Sequence, residues 1–460
     1  MRSASATLVS ALLLGVALAG CAVPGAERVD AADANASPPA PRARVVVAGI
    51  DTGINAYHVE FRDHGPDAYR HPSEYLVGYP ADTPALWLTL NATDYEEAVL
   101  ADCEAWQSVE TGKMYWIPGT RIVGAITFEE FSDIPCEEDD LPGAILDRGS
   151  HGTMISSRIA GGTYSLCPEC KIVFIQGFHS DSMKWSAEQP FIDLQTNSWG
   201  ALPINYKAGL QGFSREDVVE AAAKQPTFVA GGNGLLGFFG VSGHPAYFDD
   251  IAGPEGVIMV GGHDGGRFTP WTMTMPHVVA DAMMHPAAHH DSIDGGDDRT
   301  GGGTSGATPF AAGVFARMLL EARALVADFG TGVRDGNLVW GSIPGPAEGP
   351  LSDGFLSVEE AKVVFFHTAN PRPVRDGDRD GPSCEPGPSI GCALYPTAPV
   401  EWGMIPDGVP AYYFVGYGQV GELTLNGTLA VVRGEAPLPE RPVEDAFYGF
   451  DSRARRAFDG

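Results

Sequence analysis

The chain has 460 residues, 44% of them hydrophobic and 19% charged, with 29 Lys+Arg against 59 Asp+Glu for a formal net charge of −30. That apolar share supports a large buried core and excludes disorder throughout; the length suits about three average domains or one long α/β domain. The negative charge excludes nucleic acid as a partner, which needs a basic face against phosphate, and disfavours electrostatic docking on anionic lipid.

Arg2 gives a positive start, and residues 6–19 form an apolar run too short to span a bilayer, so residues 1–20 read as a secretory signal. The run ends in Leu18-Ala19-Gly20-Cys21, which resembles the bacterial lipobox, with Cys21 as the lipidated residue. Residues 21–44 are rich in Ala and Pro and read as a tether. The expected location is therefore the bacterial cell envelope, outside the cytoplasm, with membrane contact through the lipid only. In an oxidising compartment the other six cysteines suggest disulfides. Sequence proximity favours Cys167–Cys170 and Cys384–Cys392, leaving Cys103–Cys136.

Beyond the tether, short runs rich in β-branched residues at 45–50, 121–126, 171–175, 227–230 and 256–260 read as strands. Helical patterns at 152–160, 215–224, 310–326 and 358–368 alternate with them. Buried runs alternating with helices predict βαβ units and a parallel sheet, with chemistry gathered at the carboxyl ends of strands. Three motifs fall there. Asp51-Thr52-Gly53 ends the first strand; Ser150-His151-Gly152-Thr153 opens a small-residue helix; Gly303-Thr304-Ser305-Gly306-Ala307-Thr308-Pro309 leads into a long apolar helix. Singly, each has a bland reading: a helix cap, a structural histidine, an N-cap serine. In the order Asp, His, Ser they form a nucleophile, base and orienting group.

With these motifs the chain resembles the subtilase family (subtilisin-like, S8) of serine peptidases, over about residues 45–435. The resemblance implies a three-layer α/β/α fold with a mostly parallel central sheet, and residues 436–460 as a tail. It implies that Asp51, His151 and Ser305 are catalytic. Asn233, in Ala230-Gly231-Gly232-Asn233-Gly234, corresponds to the oxyanion-hole asparagine, working with the Ser305 backbone N–H. Ser198, Trp199 and Gly200, with Ala230, Gly231 and Gly232, correspond to the substrate-binding edge. The substrates implied are proteins or peptides; oligomeric state is open.

The chain departs from the family pattern in two places. Asp51 and His151 lie 100 positions apart, wider than usual, and residues 62–146 read as an acidic, aromatic insertion, either a lid over the cleft or a decorated surface loop. Met154 stands where a second His is common, a packing position. No cofactor is required for the chemistry. Asp376-Gly377-Asp378-Arg379-Asp380 offers oxygens to a structural calcium or forms an acidic turn. The run of His285, His289, His290 and Asp291 lacks an HExxH arrangement and reads as a loop before Ser305. The rival readings are an inactive, surface-displayed peptide-binding lipoprotein on the same fold and a zinc hydrolase built on that histidine run.

Overall fold

The computed structural model describes residues 44–130, 143–199, 215–231, 257–264, 267–268, 277–282, 287–297, 302–324, 332–334, 337–339, 358–369 and 419–439. Residues 1–43, expected as a signal and tether, lie outside them.

Eight strands build one sheet: β1 (Val46–Asp51), β2 (Ile122–Thr127), β3 (Lys171–Gln176), β4 (Leu194–Asn197), β5 (Thr227–Ala230), β6 (Val257–Asp264), β7 (Arg267–Phe268) and β8 (Val278–Asp281). Their spatial order is β2-β3-β1-β4-β5-β6, and β6 also pairs with β8. All of these pairings are parallel except the contact of two-residue β7 with β6, which is antiparallel. The sheet is thus mostly parallel, as expected.

Period-2 alternation sorts the strand side chains into two layers. Val45, Val47, Ile172, Phe174, Leu194, Phe228 and Ile258 belong to one cluster, which also takes in α3 (His151–Ala160), α6 (Gly303–Ala324) and α7 (Val358–Thr368). Val46, Ala48, Ile50, Val173, Ile175 and Val229 belong to a second cluster with α4 (Ser180–Glu188) and α5 (Arg215–Lys224). Both faces are covered, giving the α/β/α architecture and explaining why these strands are apolar throughout. A last helix, α8 (Glu422–Val432), packs on α6 and α7. Buried Asp193 ties the layers together: it pairs with Arg323 near the end of α6 and accepts from the Val46 N–H at 2.8 Å.

The segment expected as a lid or surface loop contributes in part to the core. It carries α1 (Tyr95–Ala101), α2 (Cys103–Gln107) and β2. Tyr95, Trp106, Tyr115 and Trp116 are buried, whereas Trp87 is 64% exposed. The Trp106 indole N–H donates to Tyr57 Oη at 2.8 Å, and Tyr57 in turn donates to Asp102 at 2.9 Å. Aromatic residues that read as decoration therefore brace the chain just after Asp51. Residues 287–297, expected as a loop, form a short hairpin of β9 (Ala287–Ala288) and β10 (Gly296–Asp297), and a second hairpin joins β11 (Gly332–Arg334) to β12 (Asn337–Val339). Met154 is buried in the core. Cys167 and Cys170 are bonded to each other, and Cys103 is disulfide-bonded; Cys136, Cys384 and Cys392 lie outside the described residues.

Candidate active site

Register alone brings three segments together. Ile50 pairs with Asn197, and Asn197 pairs with Val229. The next residues, Asp51, Ser198 and Ala230, therefore sit side by side at the carboxyl ends of three adjacent parallel strands, spaced by about 4.8 Å per strand. In α/β sheets this is where ligands bind.

Asp51 is fully buried. Its Oδ1 accepts from the Thr52 N–H at 2.8 Å and faces His151 Nδ1 at 2.7 Å. That contact makes Nδ1 the donor and leaves Nε2 as the basic nitrogen. The two motifs interlock through their glycines. A Cβ on Gly152 would lie 2.1 Å from the Gly53 carbonyl, and one on Gly53 would lie 2.4 Å from the Leu146 carbonyl. Only glycine lets the Asp51 turn and the His151 turn approach so closely. Ser150, just before His151, has φ 61, a left-handed conformation held here by its surroundings.

A second carboxylate fixes this junction. Buried Asp147 accepts from Thr52 Oγ1 at 2.9 Å, from the Gly149 N–H at 3.0 Å and from the Thr153 N–H at 2.7 Å. Thr52 Oγ1 then accepts from the Gly152 N–H at 3.0 Å. Asp147 thus ties the loop after β1 to the first turn of α3. Burial pulls the His151 imidazole toward lower pKa, but the Asp51 charge, the hydrogen bond to it and the Asp147 charge together outweigh burial, so its pKa lies above the ordinary 6.5.

Ser305 is the third residue of α6, which begins seven positions before the apolar pattern at 310. Its N–H is among the first four of the helix, which have no intrahelical acceptor. It points along the positive end of the helix dipole and can donate to developing negative charge. The motif also explains how Ser305 is held. Pro309 stands four residues on and has no N–H to give to the Ser305 carbonyl. Ser198 Oγ fills that vacancy at 2.9 Å, and Ser305 Oγ donates back to the Ser198 carbonyl at 3.0 Å. The helix carrying Ser305 packs against α3, which carries His151.

The remaining expectations divide plainly. Trp199 packs beside Phe178, with ring centroids 5.3 Å apart, next to the strand ends. Ala230 is buried, and the Gly231 N–H donates to the Val260 carbonyl at 2.8 Å, so it continues the sheet. Asp51 and His151 are joined directly; the Ser305 hydroxyl donates to Ser198 rather than to the imidazole. Gly200, Gly232, Asn233, Cys21, Asp376, Asp378 and Asp380 lie outside the described residues. Asp147, Thr52 and the Ser198 hydroxyl were missed as positioning groups. The carboxylate four positions before His151, in a Gly-rich turn, was the available signal.

The family model described as the subtilase family matches residues 42–326. Among solved structures, a cold-adapted subtilisin-like serine proteinase is 17% identical, covering 64% of this chain and 81% of that one with a TM-score of 0.36. The prenylagaramide maturation protease PagA is 14% identical, covering 85% and 95% with a TM-score of 0.41. The epidermin leader peptide processing serine protease of Staphylococcus aureus is 13% identical, covering 86% and 77% with a TM-score of 0.42. No curated protein matches the chain in sequence. With the family model spanning more than half of the chain, and with the motifs that carry the resemblance gathered at the strand ends, the chain belongs to the subtilase family of serine peptidases.

Proposed function

We propose that the chain is an active serine endopeptidase, exported and held at the cell envelope by lipid on Cys21, with Asp51, His151 and Ser305 as one catalytic unit. The observation that carries this reading is the buried Asp51 carboxylate on His151 Nδ1 at 2.7 Å. A histidine oriented this way presents a free Nε2 to a nucleophile, which is the arrangement acyl transfer needs.

In the proposed reaction His151 Nε2 takes the Ser305 hydroxyl proton as Ser305 Oγ bonds to the scissile carbonyl carbon. The oxyanion is held by the Ser305 N–H and the Asn233 side chain. His151 then gives its proton to the leaving amine as the C–N bond breaks. Water hydrolyses the acyl-enzyme by the same steps in reverse. Asp51 stays ionised and stabilises the imidazolium. The Ser305 hydroxyl, which rests on the Ser198 carbonyl, has to turn to His151 before attack. A substrate lying extended along residues 198–200 offers its own N–H to that carbonyl and releases the hydroxyl. An apolar P1 side chain then packs near Trp199 and residues 230–232.

Asp376, Asp378 and Asp380 are proposed as oxygen ligands for a structural calcium, outside the chemistry. Turnover of a peptide amide by wild type, with Ser305→Ala inactive, tests the peptidase reading; persistent peptide binding by an inactive wild type would support the binding module. Profiling that found strict P1 Asp or Glu would contradict the apolar pocket. Cys21→Ser should release the protein from membranes or block its processing, and unchanged membrane association would defeat the anchor.

A further inference from the structure

Three consecutive residues at the tip of the β9–β10 hairpin converge with no part in the chemistry above. His289, His290 and Asp291 each place one ligand atom so that all lie within 4.8 Å of one another. The two imidazole rings lie 4.9 Å apart between centroids and are tilted by 42°, and His289 Nδ1 contacts the Asp291 carboxylate. His290 Nδ1 is shielded from solvent and has no hydrogen-bond partner. An unpaired buried nitrogen is costly to keep, and a metal bound there would satisfy it.

The backbone under these side chains is already fixed. The Asn55 side-chain amide donates to the carbonyls of His289 at 3.2 Å and Ser292 at 2.7 Å. The Val59 N–H donates to the Ile293 carbonyl at 2.8 Å, and the His289 N–H to the Gly295 carbonyl at 2.9 Å. His58 Nδ1 accepts from the Glu60 N–H, which leaves its Nε2 to donate to the Gly295 carbonyl at 2.8 Å. A turn held this firmly presents its side chains in one arrangement, which lowers the ordering cost of binding.

We propose that His289, His290 and Asp291 form a zinc site at the tip of this hairpin. Two imidazole nitrogens are borderline donors that favour Zn²⁺ over calcium or magnesium, the carboxylate oxygen is a third ligand zinc accepts, and the fourth tetrahedral position is left to water. The site draws on none of the groups assigned to catalysis and stands whether or not Ser305 turns over substrate.

The purified full chain, stripped with EDTA and dialysed free of it, should bind one zinc through this turn in calorimetry and unfold at higher temperature once loaded. His290→Ala and Asp291→Asn should each weaken zinc binding at least tenfold and abolish the thermal shift, while Glu96→Gln, at an exposed carboxylate of α1, should change neither. Cobalt added to the wild-type chain should give the intense visible absorption of a low-coordinate, nitrogen-containing site, a readout that needs no variant to fold. Wild type without zinc affinity, zinc affinity unchanged in His290→Ala, or a cobalt spectrum of a six-coordinate hydrated ion would each overturn the site.

Discussion

The two halves of the active site are built differently. On the Asp51–His151 side, a buried carboxylate network and two interlocked glycines leave little freedom: Asp147 alone receives three donors, and any Cβ at Gly53 or Gly152 collides with backbone. On the Ser305 side, two reciprocal hydroxyl-to-carbonyl bonds hold the first turn of α6 against the end of β4. One of them exists because Pro309 withholds its N–H. In the proposed reaction the Asp51–His151 side, which orients the base and stabilises the imidazolium, is preorganised and acts without reorganising. The Ser305 hydroxyl, which has to turn toward His151, is held by a bond that a substrate can exchange.

Variants can break each half separately. The largest loss is expected from His151→Ala or Ser305→Ala, each costing about 10⁶ in kcat, the scale known for subtilisin, with the double variant little worse. Single-turnover and steady-state assays on one peptide amide check this; additive losses would mean that the groups act in different steps. Asn233→Ala should lower kcat by about 10²–10³ with KM nearly unchanged, again a magnitude taken from subtilisin. A loss confined to KM would make Asn233 a binding residue.

The rigid half makes a stability prediction. Asp147→Ala leaves the Gly149 and Thr153 N–H groups and the Thr52 hydroxyl without their acceptor; the Thr153 N–H is the buried one, and a buried donor left unsatisfied costs about 1–3 kcal/mol. Denaturant unfolding should show a loss of about 2–3 kcal/mol. Ser198→Ala removes only the bond to the Ser305 carbonyl, and a loss of about 1 kcal/mol is expected. Equal losses in the two variants would erase the contrast between the halves.

The smallest effect is on pH dependence. His151 is a base only when neutral, and its pKa is raised above 6.5 by Asp51 and Asp147 despite burial. Activity should therefore rise with pH through a midpoint above 6.5. The sign for stability is opposite: the imidazolium–Asp51 pair contributes fully below the unfolded value near 6.5 and is lost as pH rises through the folded value. A Ser305→Ala background lets unfolding be followed against pH without self-digestion. A midpoint below 6.5 would show that burial outweighs the carboxylates.

Much of this is legible in the amino-acid sequence alone. Runs of β-branched residues marked β1, β2, β3, β5 and β6 because strands covered on both faces leave a continuous apolar signature. β4 escaped because Leu194-Gln195-Thr196-Asn197 is polar yet wholly buried: two side-chain amides donate to carbonyls distant in sequence, while Gln195 Oε1, Thr196 Oγ1 and Asn197 Oδ1 have no hydrogen-bond partner among the described residues. Gln195 reaches the Met183 carbonyl, and Asn197 reaches that of Phe228. The start of α6 escaped because its first seven residues, Gly303 to Pro309, have no apolar period. The aromatic residues of 62–146 were misread because nothing local says that Trp106 will meet Tyr57. Positioning groups were the hardest to see. Asp147 and Ser198 act through backbone partners that only the fold brings near, whereas Asp51, His151 and Ser305 announce themselves by the small residues around them.

The most direct test of the Asp51–His151–Ser305 unit is labelling of Ser305 by a fluorophosphonate, read by mass spectrometry of the modified peptide. Wild type should be labelled stoichiometrically at Ser305 alone, at a rate that rises with pH through the His151 midpoint, and His151→Ala should remain unlabelled on the same timescale. An unlabelled Ser305 in folded wild type, or labelling that proceeds as fast without His151, would contradict the catalytic unit.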